Sequence, residues 1–162
     1  MYRILGVDPG SNCTGYGLVS GNGDQVAYVS SGTIAPSRTQ SRYERLKEIY
    51  DGVARVIREL EPTHFAIEDV FYSKNPRSTL VLGEARGAAI LAANLAGIPV
   101  YEYSAREVKQ SVTGNGAADK SQVSFMLTKI LGLQKTMKRA DESDALAIAM
   151  CHAFKRRDWD GK

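Results

Sequence analysis

The chain has 162 residues, the size of one domain with a real core. Its 43% hydrophobic and 24% charged residues are the balance of a soluble globular protein. It has no apolar run of about eighteen residues, which excludes a membrane-spanning helix. Net charge is +3, from 21 Lys and Arg against 18 Asp and Glu. The opening, MYRILGVDPG, lacks the basic-then-apolar pattern of a secretion signal, so a mature N-terminus is expected. Cys13 and Cys151 are too few for a disulfide framework and lack metal-ligand spacing, which points to a reduced, cytoplasmic setting.

The first thirty-five or so residues read as strands. Ile4–Val7, Tyr16–Val19 and Gln25–Ser30 are apolar-rich runs, the last two separated by the turn cluster Gly21-Asn22-Gly23-Asp24. Ser41 and Glu44 form a capping box, and Tyr43, Leu46, Tyr50, Val53, Ile57 and Leu60 follow at helical spacing until Pro62. Phe65–Glu68 reads as a buried strand and residues 71–79 as a polar loop. Ser78–Ala96 reads as a helix that is apolar nearly all round and rich in Gly and Ala, hence covered on several sides. Ile98–Tyr103 is another strand. Ser104 with Glu107, and Asp119 with Gln122, cap two more helices, the second with a core face of Val123, Met126/Leu127 and Ile130. Arg139–Lys155 closes the chain. An antiparallel meander running into β-α-β crossovers predicts an α/β fold, a five-stranded mixed sheet with helices on both faces. A single domain over 1–157 with a short tail at 158–162 is expected.

Acidic residues stand where apolar strands end. Asp8 closes the first strand just before Pro9-Gly10, and Glu68 closes the strand after the first crossover helix. A charge at such an edge is costly unless it is paired or bound to a cation. Functional groups of open α/β sheets gather at these carboxyl ends. Asp141 and Asp144, three apart, share one face in the first turn of the last helix, while Glu142 is rotated away from them. Each has a plainer reading: Asp8 as a turn residue, Asp141 as a helix cap, Asp144 as a partner of the helix dipole. Glu68 answers to no turn or cap rule. Four converging carboxylates would repel one another, and divalent cations remove the conflict. An all-oxygen set suits Mg²⁺ or Mn²⁺ rather than zinc. Two ions about 3.5–4 Å apart would then serve in-line displacement at phosphorus, one activating water and the other stabilising the leaving 3′ oxygen.

Gly6-Val7-Asp8-Pro9-Gly10 followed by Thr14-Gly15-Tyr16-Gly17 resembles the opening of the RuvC family of Holliday junction resolvases. Ala66-Ile67-Glu68 before Val70-Phe71, the stretch from Lys74-Asn75 to Leu82-Gly83-Glu84-Ala85-Arg86-Gly87, and Asp141-Glu142-Ser143-Asp144-Ala145-Leu146-Ala147 extend the likeness in order over nearly the whole chain. The resemblance implies a ribonuclease H-like fold, a homodimer, and paired symmetrical nicks across a four-way DNA junction. It makes Asp8, Glu68, Asp141 and Asp144 the catalytic, metal-holding acids. Some members carry His near the third position, whereas here it is Asp. Phe71 matches an aromatic used against junction bases, with Tyr72 beside it as a second stacking candidate. Lys109 and Lys120 fall where the family has functional basic residues. Contact with a branch-migration motor complex is a further implication.

From charge and loop position, Lys74, Arg77 and Arg86 join the candidate DNA contacts, within a wider basic set that includes Arg106, Lys135, Lys138, Arg139 and Lys155-Arg156-Arg157. The Gly/Ala-rich helix would be the dimer surface, with Ala89 among the positions facing a partner. Asp8-Pro9-Gly10 with Thr14-Gly15 also looks like the phosphate loop of actin-like ATPases and sugar kinases, but those need two such domains. A small ribonuclease H-like nuclease acting on RNA, as in rRNA processing, and a catalytically inactive branched-DNA-binding module are the other readings.

Overall fold

The computed structural model describes residues 1–69, 75–134, 137 and 139–160, the side chains of 157–160 excepted. In chain order the elements are β1 (Tyr2–Asp8), β2 (Thr14–Asn22), β3 (Gln25–Ile34), α1 (Arg42–Leu60), β4 (His64–Glu68), α2 (Pro76–Leu95), β5 (Val100–Tyr103), α3 (Ala105–Thr113), α4 (Lys120–Ile130) and α5 (Ala140–Asp160). The strands form one five-stranded sheet in the order β3-β2-β1-β4-β5. β1, β2 and β3 are antiparallel neighbours, whereas β4 and β5 join β1 in parallel. This is the mixed sheet expected from the meander and the crossovers.

Alternation along the strands divides the core in two. Leu5, Val7, Leu18, Phe65 and Ile67 face α1 and α2, packing on Val53, Val56, Ala89 and Ala93. Ile4, Val19, Ala66 and Tyr103 face the other way, under α3, α4 and the apolar run Leu146–Cys151 of α5. Helices therefore cover both faces.

All three capping boxes form as the sequence predicts, at Ser41/Glu44, Ser104/Glu107 and Asp119/Gln122. Other boundaries move for local reasons. α2 starts at Pro76, two residues before the expected Ser78, because the Asn75 side chain accepts from Arg77 N and proline suits the first turn. β5 starts at Val100 rather than Ile98: Gly97 turns left-handed and Ile98 N–H still bonds Ala93 O at 3.1 Å, closing the end of α2. α5 runs to Asp160, into the expected tail, since no Gly or Pro interrupts it before Gly161. The buried stripe of α1 is Ile49, Gly52, Val53, Val56 and Ile57; Tyr43, expected on it, is 78% exposed. Ile130 on α4 is likewise exposed.

The expected partner-facing position Ala89 is corrected by the same packing. It is fully buried in this chain's own core, together with Ala85, Ala92 and Ala93. The opposite face of α2 presents Leu80, Gly83, Gly87, Leu91 and Leu95 to solvent.

α5 crosses β1 and β2 with almost no space between backbones. A methyl carbon on Gly6 would lie 2.1 Å from Ala145 O, one on Gly15 2.0 Å from Asp141 O, and one on Gly17 2.6 Å from Leu146 Cγ. Gly6 and Gly17 are cross-strand partners, so together they form a trough for the helix. Gly6→Ala is expected to destabilise the fold by about 3 kcal/mol or more, at the upper end of overpacking costs because backbone must move. Urea denaturation of this variant beside the parent checks the effect.

Candidate active site

Asp8 and Glu68 are the last residues of β1 and β4, which run parallel with Val7 opposite Ile67. Their ends therefore lie side by side, about 4.8 Å apart by strand spacing. Asp8 also pairs with Gly15 across the β1–β2 ladder, and Gly15 is where the first turn of α5 touches the sheet, at Asp141. Asp144 comes one helical turn further along. Thr14 Oγ1 donates to Gly10 O at 2.9 Å and accepts from Gly10 N, bracing the turn just past Asp8. Asp141 stands inside the helix, after Ala140, so it is not a cap. Glu142 turns away as expected and accepts from Ser31 Oγ at 3.0 Å.

The acids sense one another. Asp8 is pushed from 3.8 up to about 7, first by burial and then by the charges of Asp144, Glu68 and Asp141, with Lys120 opposing. Glu68 is raised by burial and Asp144, against Lys120 and Lys109. Lys120 Nζ donates to Asp144 Oδ2 at 2.6 Å and is the main local counter-charge. Glu68, Asp144, Lys109 and Lys120 line a cleft of about 180 Å³ floored by Val108, Val123 and Ile148. Among the described residues, no group of three or more Asp, Glu, His or Cys side chains is already closed around one point. The donor chemistry nevertheless fits a hard divalent cation. The set is all carboxylate, and Lys120 and Lys109 offset only part of its charge.

The candidate DNA contacts separate into groups. Lys109 and Lys120 lie at the acidic cleft. Arg77 is exposed at the start of α2, lining a neighbouring hollow with Ser11 and Asn75. Arg86 is held inside the protein, donating to Glu68 O and pairing with Glu102. Phe71, Tyr72 and Lys74 lie outside the described residues. In the basic tail, Lys155 pairs with Glu107 and Arg156 sits over the Tyr2 ring at 4.2 Å. The sequence left the packing role of two neighbours of the site unmarked. The Cys13 thiol is hydrogen-bonded with Asp141, and burial first, then that contact, raises it. The glycine trough left a readable trace: Gly6 stands two residues before Asp8 on β1, and Gly15 and Gly17 alternate along β2.

A five-stranded mixed sheet carrying acids at the adjoining ends of β1 and β4, completed by a helix packed across them, defines a ribonuclease H-like protein. The yeast mitochondrial Holliday junction resolvase shares this fold at 14% identity, with a TM-score of 0.64 over 98% of this chain and 82% of its own. The family model for crossover junction endodeoxyribonuclease RuvC matches residues 4–152, and the chain belongs to the RuvC family. The RuvC of Tolumonas auensis is 53% identical over 153 residues, 94% of this chain and 87% of its own length. That of Pseudoalteromonas translucida is 51% identical over 158 residues, covering 98% and 90%. The structure of Thermus thermophilus RuvC in complex with Holliday junction substrate superposes with a TM-score of 0.92 at 33% identity, covering 98% and 97%.

The raised Asp8 has a consequence for stability. Its folded value of about 7 exceeds its ordinary 3.8, so the folded state binds more protons between them and loses stability as pH rises through that window. Without metal, Asp8→Asn is expected to raise stability at pH 8 by roughly 1–3 kcal/mol, with the gain vanishing near pH 4. Millimolar Mg²⁺ should stabilise the parent and not the variant. Thermal melts at the two pH values, with and without Mg²⁺, measure both effects.

Proposed function

We propose that this chain is a metal-dependent endodeoxyribonuclease that resolves four-way DNA junctions by paired symmetrical nicks, serving recombination and repair. The observation that carries the reading is the charge congestion at Asp8, which is buried against Glu68, Asp141 and Asp144 where two parallel strands end. Asp8, Glu68, Asp141 and Asp144 would hold two divalent ions, Mg²⁺ in the first place and Mn²⁺ as the alternative. When bound, these supply water activation and stabilisation of the leaving 3′ oxygen.

The protein's own groups do the rest. The carboxylates fix where cations and scissile phosphate meet, on rigid strand ends and a helix packed to the sheet. Lys120, paired with Asp144, and Lys109 line the same cleft and would meet backbone phosphate there. Arg77, exposed at the start of α2, would add a further phosphate contact, and Phe71, Tyr72 and Lys74 remain DNA-contact candidates from the sequence. Val108, Val123 and Ile148 give the cleft an apolar floor, which strengthens charge interactions above it.

The nuclease unit, expected over 1–157, would take in the end of α5 and work in the cytoplasm, as a homodimer matched to a substrate of approximate two-fold symmetry. The exposed small and apolar stripe of α2, from Leu80 through Gly83 and Gly87 to Leu91 and Leu95, supports that dimer. A branch-migration motor complex is a further partner suggested by the family. Leu91→Arg is expected to give a folded monomer with nicking reduced by about tenfold or more, checked by sedimentation and junction cleavage. A dimer of normal size would refute the assignment of that face.

Cleavage of a labelled synthetic four-way junction, beside Asp8→Asn and an RNA duplex, tests the function. The parent should make paired nicks with Mg²⁺ or Mn²⁺ and spare RNA, and the variant should bind without cutting. Preferential cutting of RNA would favour an RNA-processing nuclease, and tight binding without turnover an inactive module.

A further inference from the structure

The end of β4 leaves one backbone group in need of a partner. Phe65 and Asp69 give their N–H groups to Pro99 O at 3.0 Å and Tyr103 O at 2.8 Å, on the β5 side. Backbone groups of alternate residues face opposite neighbours in a parallel sheet, so those of Ala66 and Glu68 face β1. Gly6 lies opposite Ala66, which makes Val7 N–H the ladder donor to the Ala66 carbonyl. Two residues on, the atom that would serve the Glu68 carbonyl is the nitrogen of Pro9, which carries no hydrogen. The ladder thus stops at the residue whose side chain enters the acidic cluster.

Arg86 fills that place. From the middle of α2 its Nε–H donates to Glu68 O at 3.1 Å. Its Nη2 pairs with the Glu102 carboxylate on β5 and lies 3.9 Å from Asp69 Oδ1. The side chain is only 16% exposed. A guanidinium serving DNA would turn its fork to solvent. This one has its Nε on backbone and its Nη2 on carboxylates flanking β4.

We infer that Arg86 is a positioning residue, replacing the donor that Pro9 lacks and so fixing the Glu68 main chain, and with it the aim of the Glu68 carboxylate, before any cation arrives. It rests on the reading of Glu68 as a metal-holding carboxylate. Groups behind a ligand commonly govern metal affinity by about 10–100-fold, because a ligand free to wander must be ordered at the moment of binding.

Arg86→Gln and Arg86→Lys, with Glu68→Gln as reference, separate the possibilities. Mn²⁺ affinity is read from the free-ion EPR signal, and junction binding is measured in EDTA across a salt series. Both Arg86 variants should bind Mn²⁺ about tenfold or more weakly, and the metal midpoint of nicking should move by the same factor. Junction affinity in EDTA and its salt slope should match the parent. Adding Pro9→Ala to Arg86→Gln returns a backbone N–H and should recover part of the Mn²⁺ affinity.

Unchanged Mn²⁺ affinity together with a salt slope reduced by about one would instead make Arg86 a phosphate contact and overturn the inference. Should Arg86→Gln fail to fold by circular dichroism, Glu102→Gln loosens the same guanidinium. Weaker Mn²⁺ binding there supports the inference, and parent-like binding refutes it. Parent-like Mn²⁺ affinity in Glu68→Gln would show that the reading of the acidic site has failed. Lost affinity there, with parent-like Arg86 variants, would refute the positioning role alone.

Discussion

The contact between α5 and the glycines of β1 and β2 is what the rest of the structure depends on. Gly6, Gly15 and Gly17 leave no room for even a methyl group beneath Asp141, Ala145 and Leu146. The first turn of α5 can therefore sit at the height of the strand ends, and Asp141 meets Asp8 across Gly15. A helix held off by ordinary side chains would ride on top of them, and its acids would miss the sheet edge. Stability and chemistry share this one approach. The apolar run Leu146–Cys151 anchors the helix in the core, and the anchor sets where its polar first turn falls.

That approach concentrates negative charge where water is scarce. Asp8, driven to about 7 first by burial and then by the charges of Asp144, Glu68 and Asp141, shows the cost of setting these carboxylates together in a buried place. Lys120 offsets some of it through Asp144, although a lysine in the first turn of a helix opposes the macrodipole. A lysine in so unfavourable a place is understandable if its charge is needed by the acids across the cleft. The site is thus strained electrostatically, and on the proposed reading a divalent cation would relieve that strain, so affinity for the ion and instability without it would share one cause.

The basic residues show that positive charge alone does not mark a nucleic-acid contact. Lys109 and Lys120 face the cleft, whereas Arg86, Lys155 and Arg156 are engaged within the protein. Sequence position treats all of these alike. Their difference arises from which helix face each occupies and from what the sheet leaves unpaired nearby, the Glu68 carbonyl being the case in point.

Much of the fold was legible in local chemistry. Capping boxes at Ser41, Ser104 and Asp119, turn residues at 21–24 and the change from alternating to helical periodicity announce elements, because those signals act within a few residues of chain. The acids at Asp8 and Glu68 were legible too, since a charge ending a buried strand is costly without a partner and, at Glu68, no turn or cap rule accounts for it. Tertiary structure alone decided which strands adjoin, which face of α2 is covered, and which basic groups remain outward. Ala89 and Leu91 differ little in polarity, and only packing against Leu5 and Phe65 buries the first and leaves the second exposed. The sequence by itself determined the kinds of group available and the elements that carry them. Their meeting at one sheet edge, with Arg86 turned inward to hold Glu68, depended on contacts between residues far apart in the chain, whose partners no local pattern specifies.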